Sequence, residues 1–138
     1  MRWPKFYPDN CPPGKAEPAS GEVYRMTNRR SPKQRDFKSY RENHGPDAEF
    51  NQRECIACGV SVYRNPEDIS RMRLRLQKRV PKLRKRKFIA KGVLDPSLGK
   101  IQPTGEHEKS HHTWWIPVGV QAWTVFQFFK VLERLEVN

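Results

Sequence analysis

Val60-Ser61-Val62-Tyr63 alternates apolar and polar side chains, the period of a strand with one buried face. Val23, Tyr24 and Met26, which follow Gly21, suit a second short strand. A different period runs from 69 onward. Ile69, Met72, Leu76 and Val80 recur at i, i+3, i+7 and i+11, so at 100° per residue they share one helical face. Asn65-Pro66-Glu67-Asp68 starts that helix: Asn65 can cap, Pro66 fits the first position, and two acids complement the positive end of the helix dipole. Pro81 stops it, which predicts a helix over 66–80 with Arg71, Arg75 and Lys78 on its outer face.

Further along, 88–94 reads as a strand. Asp95-Pro96-Ser97-Leu98-Gly99 has the chemistry of a turn and should join it to a strand at 100–104 as a hairpin. His112 to Ile116 reads as another strand, stopped by Pro117. Residues 122–129 are aromatic and favour a strand, while the remaining tail fits either state. Before Cys55, Ser31-Pro32 can open a short helix with Phe37 and Tyr40 facing the core together. No internal repeat is visible. The order predicts an α+β fold: a mostly antiparallel sheet with one or two helices. Residues 1–20, with prolines at 4, 8, 12, 13 and 18 between Trp3, Phe6 and Tyr7, form an extended arm, and 21–138 form one domain.

Charge changes this picture most. Residues 71–91 hold eleven of the 27 Lys and Arg and none of the 15 acids, which leaves the rest of the chain near neutrality. Such a localised field is the footprint of a polyanion partner, DNA or RNA, met through its phosphates. Arg71, Arg75, Lys78, Arg79, Lys82, Arg84, Lys85, Arg86 and Lys87 are the candidate phosphate contacts of a nucleoprotein subunit. The other meanings of the field are a solvated face and a surface for an acidic protein partner. Mean hydropathy is −0.92, yet four Trp, seven Phe and four Tyr supply a modest aromatic core. No apolar run is long enough to span a bilayer and the first ten residues lack a signal-peptide core, so no membrane and a cytoplasmic location are expected.

Three cysteines argue against a closed disulfide framework. Cys55 and Cys58 have the spacing of half a zinc site, with Cys11, His44, His107, His111 and His112 as the pool of further ligands; they also fit a redox pair or two buried thiols. Glu106-His107-Glu108 and His111-His112 could hold a metal or do acid–base work, with His112 the candidate beside Trp114 and Trp115, although a tryptophan pair usually marks packing. Arg25, within a strand, needs a carboxylate, a carbonyl or a phosphate unless it reaches solvent from an edge.

Val23-Tyr24-Arg25, Asp36-Phe37-x-Ser39, Gly59-Val60-Ser61-Val62-Tyr63 and His112-Thr113-Trp114-Trp115 together form a pattern that resembles small uncharacterised bacterial proteins. Its opening, a strand-borne Arg followed by an aromatic-x-Ser, resembles the NAD-binding start of ADP-ribosyltransferase-like toxins. That resemblance implies Arg25 and Ser39 as NAD contacts, with Glu67 or Glu106 as the assisting acid.

Overall fold

The computed structural model describes residues 1–136. Seven strands form one antiparallel sheet: β1 (Glu17–Pro18), β2 (Gly21–Thr27), β3 (Val60–Tyr63), β4 (Lys87–Leu94), β5 (Lys100–Pro103), β6 (His111–Trp115) and β7 (Phe126–Leu132). Their spatial order is β1-β5-β6-β3-β2-β4-β7. Three short α-helices accompany them: α1 (Tyr40–His44), α2 (Glu54–Cys58) and α3 (Glu67–Leu76). The fold is α+β with a mostly antiparallel sheet, as the patterning predicts.

The sheet is strongly curled. Trp114 on β6 stacks on Phe126 of β7 with ring centroids 5.9 Å apart, although β3, β2 and β4 lie between their strands. In a flat sheet the two strands would stand about 19 Å apart. The curl wraps Val23, Phe37, Val60, Val62, Ala90, Leu94, Ile101, Trp114 and Phe126 into one interior cluster. On the outer face, Ile69 and Met72 of α3 pack on Tyr24, Tyr63, Ile89 and Leu132. Trp115, next to Trp114 and so facing the other way, is enclosed by Cys11, Ala16, Cys58, Trp3 and Tyr7.

The same curl explains a difference from expectation. β4 and β5 do not form a hairpin: β4 pairs with β2 and β7, and β5 with β1 and β6. The predicted turn is present as a 3-10 turn at Pro96–Leu98, with the Asp95 carboxylate accepting from the Ser97 amide at 2.8 Å. It acts as a corner between the two ends of the curled sheet. Gly99 is required there: its φ is +121°, and a Cβ would lie 2.1 Å from the Trp115 carbonyl oxygen.

Three other boundaries move. Helix α3 ends at Leu76, and Leu83 in the following Pro81–Arg84 3-10 turn is buried where Val80 was expected to be. The 31–40 segment breaks into a 3-10 turn at Gln34–Phe37 and then α1, so Phe37 is buried but Tyr40 is exposed. In 122–129 the first four residues form a 3-10 turn and only then does β7 begin; the last two residues of the tail lie outside the described residues.

The proline-rich arm is stitched down. Cys11 is disulfide-bonded to Cys55, with Cα atoms 5.5 Å apart. β1 pairs with β5, the Val118 amide donates to the Arg2 carbonyl at 2.9 Å, and the Ile116 amide donates to the Tyr7 hydroxyl at 3.3 Å. The odd cysteine count therefore hides one disulfide and one free thiol, Cys58. No helix among the described residues is long and apolar enough to cross a membrane.

Candidate functional site

Ten of the eleven basic side chains fall into three groups once folded, and the eleventh, Lys91, pairs with Glu22 at 3.2 Å. Arg73 and Lys87 are buried. Position 73 follows Ile69 by four and precedes Leu76 by three, so it lies on the apolar stripe of α3 itself. At 3% exposure Arg73 has no carboxylate partner among the described residues; its guanidinium donates to the carbonyls of Leu83 (2.9 Å), Lys85 (2.8 Å) and Glu133 (3.0 Å). Burial lowers its pKa. Lys87 donates to the Asn28 side-chain oxygen, so it is a structural donor and not an open phosphate contact.

Arg71 and Arg75 form the second group, already neutralised. Arg71 pairs with Asp68 at 2.6 Å and with Glu67 at 3.4 Å. Arg75 forms a bidentate pair with Glu108, at 3.0 and 2.6 Å. Asp68 in turn accepts from the Ser110 amide at 3.0 Å. Burial opposes the charged form of Asp68, but the bonds from Ser110 and Arg71 outweigh it and its carboxyl titrates below the ordinary range. The expectation that both arginines form an open basic face is thereby corrected: Arg75 ties α3 to the loop before β6, and Arg71 pairs within α3 with Asp68, which itself holds that loop through Ser110.

Lys78, Arg79, Lys82, Arg84, Lys85 and Arg86 form the third group. None of them makes a salt bridge among the described residues, whereas seven acids elsewhere are engaged in ion pairs. The group is held in shape. Arg73 grips the carbonyls of Leu83 and Lys85, and the Leu135 amide donates to the Arg84 carbonyl at 2.8 Å. Lys87 reports the local field: burial lowers its pKa first, and the charges of Lys82, Lys85 and Arg73 lower it further.

The fold adds partners that lie far away in sequence. Thr27 pairs with Phe88, and Phe128 pairs with Ala90, so the end of β2, the start of β4 and the middle of β7 meet. There the Arg30 guanidinium lies 3.8 Å over the Phe128 ring and that of Arg86 lies 5.5 Å over the Phe88 ring. The two rings meet edge to face, with centroids 6.4 Å apart. Arg30, Phe88 and Phe128 were not singled out from the sequence, because only the β2–β4–β7 register brings them to the basic segment.

The other candidate residues have structural partners. Arg25 donates to the carbonyls of Asp36 (2.8 Å), Ser61 (2.6 Å) and Lys38 (3.5 Å), so it fixes the 36–39 segment onto β2 and β3. Burial lowers its pKa to about 10, which still leaves it charged at neutral pH. Ser39 caps α1 in a reciprocal arrangement with Glu42: it accepts from the Glu42 amide at 3.2 Å, and the Glu42 carboxylate accepts from the Ser39 amide at 3.0 Å. The donors that would hold NAD are thus committed to the fold. Glu67 pairs with Arg71, and Glu106 with Arg53.

His111 contacts the Thr104 hydroxyl at 3.0 Å and the Ser61 hydroxyl at 2.9 Å, while His112 bonds the Ser110 carbonyl at 2.8 Å. Burial lowers the pKa of both imidazoles. The Cys55 sulfur is taken by Cys11, so Cys55 and Cys58 are neither half a zinc site nor a redox pair with each other, and only Cys58 is a buried thiol, which burial pushes up to about 11. Among the described residues no group of three or more His, Cys, Asp or Glu side chains could hold a metal ion.

Family models, curated proteins and solved structures were each compared with this chain, and none matches it.

Proposed function

We propose that the chain binds nucleic acid through the phosphate backbone, as a basic subunit of a nucleoprotein assembly. One observation carries this reading: the six cations Lys78, Arg79, Lys82, Arg84, Lys85 and Arg86 make no salt bridge among the described residues, although the same chain neutralises Arg71 and Arg75 with carboxylates. A merely solvated face would not need such sorting. Side chains held on a tethered loop lose less freedom on binding than a flexible basic tail does. The relation to location is a chemical one: the Cys11–Cys55 disulfide is at odds with a strongly reducing compartment, so a cytoplasmic setting demands that the bond resist the thiol pool.

Filter binding with mixed-sequence oligonucleotides at several salt concentrations tests the proposal. Each phosphate contact contributes about 0.7 to 0.9 to the slope of log affinity against log salt. Replacing Lys82, Arg84, Lys85 and Arg86 with Gln should weaken binding to every sequence and flatten that slope by about 3 to 4. Arg75→Gln should change the slope little, because Glu108 already neutralises Arg75. Wild-type protein that shows no salt-dependent binding, and instead captures an acidic protein, would refute the proposal.

A further inference from the structure

We infer that the nucleic acid is single-stranded and that its bases stack on the platform formed by Arg30, Phe128, Phe88 and Arg86; this rests on the nucleic-acid reading above. Phosphate contacts need charge alone. They do not need a cation held flat against an aromatic ring. Arg30 is exposed and its guanidinium lies 3.8 Å above Phe128, at van der Waals separation. Its neighbour Arg29 behaves differently: it pairs with Asp36 at 3.2 Å. Arg30 has no such pair among the described residues, and its available partner is the ring.

A guanidinium braced on one side by an aromatic ring presents a flat, weakly hydrated cation on the other. Such a plate accepts a base face, as arginine planes do in the recognition of unpaired bases. Arg86 lies over Phe88 at a longer 5.5 Å, a looser second cation–ring pair, and the contact between Phe88 and Phe128 joins the two. The rings belong to β4 and β7, which pair on both sides of a register shift at Ile89/Ala90, so the strand backbones hold the two rings in place. Arg84, Lys85 and Lys82 precede Arg86 in the chain and put phosphate-binding charge beside the plates. A duplex cannot use this surface, because its base faces are stacked inside the helix. A single strand presents base faces and phosphates together.

The test is fluorescence anisotropy with labelled oligonucleotides of roughly 12 nucleotides, as single-stranded RNA, single-stranded DNA and duplex DNA. We expect either single strand to bind at least about tenfold more tightly than the duplex at matched salt. Phe128→Leu and Phe88→Leu should each lower single-strand affinity by about 5- to 100-fold without changing the salt slope or the duplex affinity. Arg30→Lys, on the surface, keeps the charge but loses the flat plate; it should lower single-strand affinity alone and serves if a Phe variant fails to fold. Equal binding of duplex and single strand, with Arg30→Lys indistinguishable from wild type, would overturn the platform and leave the basic surface standing. Binding of neither form would overturn both.

Discussion

The Cys11–Cys55 bond invites a direct perturbation: replace both residues with Ala. The bridge joins residues 44 apart in sequence. Closing a loop of that size removes about 4 kcal/mol of chain entropy from the unfolded state in the loop-closure description. The arm keeps its other ties in the variant, including the β1–β5 pairing and the Tyr7–Ile116 hydrogen bond. The variant should therefore still fold, with its unfolding free energy reduced by up to about 4 kcal/mol. For a domain of this size that corresponds to a fall of about 2 M in the urea midpoint. Equilibrium urea unfolding followed by tryptophan fluorescence measures it, and the four tryptophans include the fully buried Trp115 beside the arm. Wild-type protein treated with reductant should move to the same midpoint. Thiol titration supplies the independent check. Unfolded, unreduced protein should expose one thiol, that of Cys58, and reduced protein all three. Superimposable urea curves, or three reactive thiols without reductant, would refute the reasoning.

Two further outcomes are expected. Arg73→Met removes three charged hydrogen bonds that hold the Pro81–Arg84 turn and the C-terminal segment, while keeping much of the side-chain volume; it should lower stability by about 2–4 kcal/mol in chemical denaturation, and a change below about 0.5 kcal/mol would contradict the structural role. Burial lowers the folded-state pKa of His111, with His112 and Arg53 adding to the shift and Thr104 and Glu108 opposing it. The unfolded chain then binds more protons below about pH 6.5, so stability is full above that value and is lost as pH falls through the folded pKa. Urea midpoints across that window should fall less steeply in His111→Gln, and an unchanged slope would remove the imidazole from the account.

The local elements were readable because their causes are local. The alternation of Val60 to Tyr63, the Asn65-Pro66 start and the run ending at Trp115 each appear within a residue or two of their expected places. The Asn65 side chain indeed accepts from the Glu67 amide at 3.0 Å. Arg25 was expected to need an acceptor or to reach solvent, and it found backbone carbonyls. Arg73 could have been read as buried from its position on the apolar stripe, but residue type suggested an outward charge. The missed disulfide followed from treating Cys55 and Cys58 as a pair because they are close in sequence, whereas Cys11 is brought to Cys55 by the packing of Trp3, Tyr7 and Trp115.

By itself, then, the sequence determined where β3, β6 and α3 lie, that the sheet is mostly antiparallel with few helices, and that positive charge concentrates in one segment, since these depend on side-chain period, capping chemistry and composition. Tertiary structure decided which of those charges are available. Glu108, Asn28 and the carbonyls of Leu83, Lys85 and Glu133 come from other parts of the chain, and their approach turns three of the basic side chains, Arg73, Arg75 and Lys87, into structural ties, while Arg71 pairs locally with Asp68 and Glu67 on α3. Only the curled sheet and its register set Arg30 and Phe128 beside Phe88 and Arg86, because contacts between residues this distant in the chain follow from strand order and not from any local pattern.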